Sequence, residues 1–195
     1  MGKGEETRQF IIEKAAPIFN TKGIAATAMS DIMEATKLSK GSMYVHFENK
    51  DVLAAAAVDY NMDTLEGKLL AALRGCNSPK DKLLAYIDFF SDPNTPPVAG
   101  GCPILNFGTE ADDTNPSVRD KVQLIIKRGQ KLLRGLVAEA IAAGELKAET
   151  NPEELATVIF ATLEGAHLMS RVAGRNDSMN IAVRSLKNWI AMHNA

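Results

Sequence analysis

The 195-residue sequence predicts an all-α protein: a three-helix module with a helix-turn-helix near the N-terminus, followed by a larger helical domain. Three observations predict it. Apolar residues recur at the spacing of a helix face along almost the whole chain, and the alternation that marks a half-buried strand is scarce. The interruptions fall at Gly, Pro, Asn and Ser clusters, such as Cys76-Asn77-Ser78-Pro79 and the stretch SDPNTPPVAGG from Ser91 to Gly101. Between Thr27 and Leu53, finally, two short helical patterns flank a tight turn at Lys37-Leu38.

The first helix is expected from about Glu5 to Lys22, with Phe10, Ile11, Ala15, Ile18 and Phe19 on one stripe and Gly23 as its stop. Pro17 lies inside it and should bend it near Glu13, because proline removes one backbone donor. Two short helices follow, Ala28–Thr36 with Thr27 as N-cap and Lys40–His46 with Ser39 as N-cap. A long helix starts after Asn49 and runs to about Leu73. Later helices are expected over Lys80–Phe90, Pro103–Glu110, Pro116–Ala143, Pro152–Ala173 and Met179–His193. The division is therefore residues 1–49 and 50–195, with the helix of residues 50–73 joining the two.

Composition narrows the class. Net charge is -2, so no global excess of cations advertises a polyanionic partner. Residues 1–50 carry 7 basic against 6 acidic side chains, and any DNA contact must come from local placement. The 2 cysteines, Cys76 and Cys102, have no CxxC or Cys/His partner spacing, so no metal site is expected. Glu5, Glu6 and Glu13 interrupt the first apolar pattern, which a secretory leader does not tolerate. No run approaches the roughly 20 apolar residues of a membrane helix, and a cytoplasmic protein without membrane contact is expected. The three histidines, His46, His167 and His193, lack a nucleophile or acid at motif spacing, and no phosphate-cradling glycine loop is present. Neither an enzyme nor a cofactor is expected.

A helix-turn-helix that enters a DNA groove needs a support helix, a tight turn, and a second helix whose first turn is bare. Met29, Ile32, Met33, Leu38, Met43 and Phe47 supply an inward face. Lys40, Ser42 and Tyr44 point outward, and Gly41 has no side chain to block close approach. Ser, Lys and Tyr donate to phosphates or base edges, and Lys50 opens the next helix, where the free N–H groups also favour a phosphate. Spacing alone leaves a second reading open, in which the three helices are a structural cap on the larger domain.

From Glu5 to about Asp59 the sequence resembles the N-terminal domain of the TetR (tetracycline repressor) family of bacterial regulators. The matching pieces are Ala15-Ala16 with Phe19, Lys22-Gly23, Thr27, Ser30-Asp31-Ile32, Ser39-Lys40-Gly41-Ser42, Tyr44-x-His46-Phe47 and Asn49-Lys50-Asp51-x-Leu53. The resemblance implies a homodimer that binds a palindromic double-stranded DNA operator and is released by a small-molecule effector. Carried over by position, Thr27, Tyr44, His46 and Lys50 are implied phosphate contacts, and Ser39, Lys40, Gly41 and Ser42 the groove-facing residues. Two positions depart from the family pattern. Val45 stands where an aromatic is frequent, so its contact would be apolar, as with a thymine methyl; Lys37 replaces a frequent turn glycine and would be strained at positive φ.

The larger domain resembles one subgroup of the family in Gly101-Cys102-Pro103 through Asn106-Phe107-Gly108, and in Leu163-Glu164-Gly165-Ala166. Met62, Phe89, Phe90, Cys102, Asn106, Phe107, Phe160, Glu164, His167 and Arg171 are the effector-lining candidates, though Met and Phe at helical spacing more often form core. Cys102 also admits a thiol-based redox-sensing regulator, and a protein-binding adaptor stays open beside it. Helices of about 153–171 and 179–192 carry Leu155, Ile159, Leu163, Ala166 and Met169, then Ile181, Leu186, Trp189 and Ile190, stripes that fit either a homodimer interface or the monomer's own core.

Overall fold

The computed structural model describes residues 2–195, and among them the regular elements are nine helices and no strand. They are α1 (Lys3–Lys22), α2 (Met29–Thr36), α3 (Lys40–His46), α4 (Lys50–Leu73), α5 (Pro79–Phe89), α6 (Pro103–Ala111), α7 (Pro116–Ala142), α8 (Pro152–Ala173) and α9 (Asp177–Met192). An isolated antiparallel bridge joins Leu146 to Asn194.

The helix ends follow local chemistry. Ser39, Asn49, Ser78 and Asn151 turn side-chain oxygens back onto the free N–H groups of the turns they begin, Ser39 onto Ser42 at 3.2 Å and Asn49 onto Val52 at 3.0 Å. Prolines open α5, α6 and α8, where a missing N–H removes a donor that has no helical partner anyway. Helix α1 continues through Pro17, and Gly23 closes it at φ 85°. The expected cap of α2 requires correction. Ala28 occupies the cap position, and the Asp31 carboxylate accepts its N–H at 3.0 Å. Thr27 is turned inward instead, donating its hydroxyl to the Gly23 carbonyl at 2.6 Å.

The chain folds as two compact units, Met1–Leu65 with Val98–Gln123 and Glu66–Pro97 with Leu124–Ala195. This partition does not follow residue 49. A module of one long and two very short helices has too little apolar surface to close a core of its own. In the first unit α1 therefore packs against α6 as well as α2 and α3. Ile11, Ile12, Ala15, Ala16 and Phe19 of α1 are buried, as are Ile32, Met43, Phe47 and, from α4, Leu53, Ala54, Ala57 and Val58. The buried Asn61 donates its amide to the Ala16 carbonyl at 2.9 Å, tying α4 to α1. Full burial of a side chain such as Phe19 or Leu53 contributes about 1.5–3 kcal/mol, which the short helices share only by packing here.

In the second unit Leu83, Tyr86 and Ile87 of α5 pack with Leu133, Val137 and Ala140 of α7, Leu155, Ile159 and Leu163 of α8, and Leu186 and Ile190 of α9. The Ser170 hydroxyl, fully buried, accepts the Met179 N–H at 3.0 Å and stitches α9 back onto α8. Gly174 makes the reversal at φ 66°. His167 is buried. Burial, and secondarily the charge of Arg171, push its imidazole down to about 4 from the ordinary 6.5, so it is neutral near pH 7.

Lys37 is the single non-glycine residue at positive φ (59°) among the described residues. A side chain costs about 1–2 kcal/mol in that conformation, and glycine's extra unfolded-state entropy takes back part of the gain. Lys37→Gly should therefore raise the unfolding free energy by about 0.5–1 kcal/mol in denaturant titrations. For His167, the unfolded chain binds a proton near pH 6.5 and the folded chain only near 4, so stability must fall as pH drops through that window. The stability difference between wild type and His167→Gln should be flat above pH 7 and should narrow or reverse below 6.5.

Candidate nucleic-acid interface

The segment Thr27–Leu53 is built as a support helix, a tight turn and a presented helix. Ile32 on α2 and Met43 and Phe47 on and after α3 are buried, whereas Met29, Met33 and Leu38 are half-buried. The turn is closed locally: Lys37 N–H reaches the Met33 carbonyl at 2.8 Å, and the Thr36 hydroxyl donates to the Ile32 carbonyl at 2.8 Å. The left-handed backbone of Lys37 lets the chain reverse between Thr36 and Ser39.

What α3 turns outward is a compact set. Lys40 and Gly41 are exposed and Ser42 half-exposed, with Ser39 before them at the cap. A Cβ at Gly41 would meet nothing within 4 Å, so the helix surface there is open. Tyr44 is 43% exposed, and the Lys40 ammonium lies 5.9 Å from its ring centroid, close enough for a weak cation–π attraction that pre-orients both. Val45 is 80% exposed, an uncovered apolar side chain in the middle of a polar surface. His46 is half-buried in the last turn.

Two implied phosphate contacts stand differently. Thr27 is 1% exposed, with its hydroxyl proton committed to Gly23. The Lys50 ammonium faces the carbonyls of Ile24 at 2.9 Å, Thr27 at 3.2 Å and Ala25 at 3.4 Å. Its three donors are thus engaged by backbone, and in the free protein both residues brace the turn before α2.

Sequence reading misses Glu110 altogether, and sees Asp31 as part of a motif without its role as a backbone acceptor. Asp31 holds Ala28 and pairs with Lys22 at 3.1 Å; the Ala28 N–H first and Lys22 second keep its carboxyl below the usual range. An acid three residues after the cap is a local signal that could have found it. Glu110 accepts N–H groups of Ile24 and Ala25 from 86 and 85 residues away, and no local pattern marks it.

The effector candidates fall in both units. In the first, Met62, Cys102 and Phe107 are all buried. Phe107 is plain core. Cys102 stands at the N-cap position of α6, where its low exposure limits access to the thiol. The Asn106 amide nitrogen donates to the Asn20 carbonyl (2.9 Å), Asn20 Oδ1 (3.2 Å) and the Gly100 carbonyl (3.2 Å). In the second unit Phe89 and Phe90 meet edge-on at 4.9 Å, with Tyr86 5.2 Å from Phe90. Phe160 and Glu164 are half-buried on the same helix as the buried His167, and Arg171 donates to the Pro93 carbonyl at 3.3 Å. On α8 and α9, most of the stripe that fits an interface fills the unit's own core; Met169 and Ile181 do not, and stay exposed.

Comparison with known proteins agrees with this architecture. Residues 11–57 match the family described as bacterial regulatory proteins, tetR family, and residues 79–186 match the tetracyclin repressor-like C-terminal domain. A TetR transcriptional regulator from Chloroflexus aurantiacus is 40% identical, with TM-score 0.94 over 100% of this chain and 98% of that one. A TetR-family regulator from Cytophaga hutchinsonii is 38% identical with the same TM-score, 0.94, and the same coverage, 100% and 98%. The HTH-type transcriptional repressor DhaR of a Mycobacterium species is 24% identical over 173 residues, 89% of this chain and 86% of its own. With both family matches and 40% identity along its whole length to a TetR regulator, the chain, a helix-turn-helix followed by a helical C-terminal domain, belongs to the TetR family of bacterial transcriptional regulators.

Proposed function

We propose that the protein is a cytoplasmic homodimeric repressor that grips a palindromic operator with its paired α3 helices and lets go when a small molecule binds the larger domain. The observation that carries the reading is the two-sidedness of α3: Met43 is fully buried while Lys40, Gly41, Tyr44 and Val45 are presented outward. Ser39, Lys40, Gly41 and Ser42 face the groove in this reading, and Tyr44 and His46 meet phosphates. Thr27 and Lys50 support from behind. Val45 offers an apolar contact of the kind a thymine methyl accepts. Residues 1–49 supply the DNA contacts and residues 50–195 the effector site and dimerisation, and the related DhaR carries the name of a repressor.

For the dimer we assign the second apolar faces of α8 and α9, where Val158, Leu168, Met169, Val172, Ile181 and Met192 are all exposed. These side chains contribute little to the subunit's own core, and a two-fold axis would pair like with like. The effector site draws on the candidates of the second unit, Phe89, Phe90, Phe160, Glu164, His167 and Arg171. Binding there favours a spacing of the α3 helices that misses successive major grooves, about 34 Å apart, with α4 as the lever.

Selection of bound duplexes from random DNA should return a palindrome. Against that duplex, Lys40→Ala should weaken binding and reduce the slope of log affinity against log salt by about one, as loss of one phosphate contact requires. An unchanged slope would count against Lys40. Val172→Asp with Ile181→Lys should convert the dimer to a folded monomer in light scattering, and operator binding should fall with it.

A further inference from the structure

The turn between α1 and α2 is held by opposite charges from two other helices of the same unit. On the N–H side, Glu110 of α6 accepts Ile24 N–H through Oε2 at 2.8 Å and Ala25 N–H through Oε1 at 2.7 Å. On the carbonyl side stands the Lys50 ammonium of α4, 2.9 Å from the Ile24 oxygen. The packing is close: a Cβ on Gly23, at φ 85°, would lie 3.1 Å from Glu110 Oε2. One helical turn before Glu110, Asn106 donates to the Asn20 carbonyl at 2.9 Å, so one face of α6 grips both the end of α1 and the turn that follows. Asn20 in turn donates to the carbonyls of Ala99 at 2.8 Å and Gly101 at 3.1 Å. Gly100 touches the same end of α1. It sits at φ 97°, and a Cβ there would come 2.7 Å from Thr21 Oγ1.

We propose that Glu110 is the positioning residue through which α6 sets the reading helix: its carboxylate fixes the turn that launches α2, and α2 with its tight turn fixes α3. The assignment rests on the reading of α3 as the DNA-contacting element. Carboxylate and ammonium have different jobs here. Lys50 donates to carbonyls from the helix that directly follows α3. Glu110 comes instead from α6, 85 residues from Ala25, so a shift of α6 moves the turn while the helix-turn-helix stays intact.

Amide exchange of the free full-length protein, with binding to the duplex selected by wild type, tests the assignment. In Glu110→Ala the amides of Ile24 and Ala25 should lose protection while those of α8 and α9 keep theirs. Affinity should fall by roughly fivefold or more at an unchanged salt slope. Removing a negative charge by itself strengthens binding to a polyanion, so a fall is not electrostatic. Glu110→Gln keeps one acceptor oxygen and should lie between. Unchanged protection overturns the proposal, as does lost protection with unchanged affinity, or an affinity loss accompanied by a reduced slope. Failure of the wild-type protein to select any duplex overturns the DNA reading as well, and is recognised by that protein alone.

Discussion

The burial of Met43 and Phe47 beneath α3 is the constraint on which the rest of the structure depends. A helix of seven residues is far below the length at which helices persist alone in water, about 12–15 residues, so α3 exists only because its inner face is packed. The proposed DNA contact requires its outer face to stay free of the protein. Those demands compete for the same two turns of helix, and they are met by concentrating the packing in two large side chains and leaving Lys40, Gly41, Tyr44 and Val45 outside. The Arg8 guanidinium, 4.8 Å from the Phe47 ring centroid, adds a cover to that anchor from α1.

The same economy explains why the first unit is larger than a three-helix module. Helices of eight and seven residues leave much of α1 uncovered, and α6 completes the job. Once α6 is needed for the core, its polar groups sit where backbone at the end of α1 lacks partners, and Asn106 and Glu110 satisfy it. Structural necessity thus creates a physical connection between a helix of the C-terminal sequence region and the start of the helix-turn-helix.

Much of the fold is legible in the sequence because helix ends are written locally. Ser39, Asn49, Ser78 and Asn151 each act on a group two or three residues away, and the stops at Lys22 and Leu73 follow from what comes next in sequence. Thr27 misleads for a related reason: two adjacent positions, Thr27 and Ala28, compete for the cap, and tertiary packing draws the hydroxyl inward while Asp31 takes its place. Lys50 and Asn106 are legible as polar groups in informative motifs, but their partners lie 26 and 86 residues away, and no periodicity reports such distances.

Helices α8 and α9 mark a different limit. A hydrophobic stripe states that a face is covered and is silent on what covers it. Leu155, Ile159 and Leu163 spend that face on the subunit's own core, while Val158, Met169 and Val172, offset around the same helix, remain outside. A helix apolar on two sides has more covering surface than one subunit uses. Val172, at 81% exposure near the C-terminal end of α8, belongs to the uncovered apolar surface on which the proposed dimer rests.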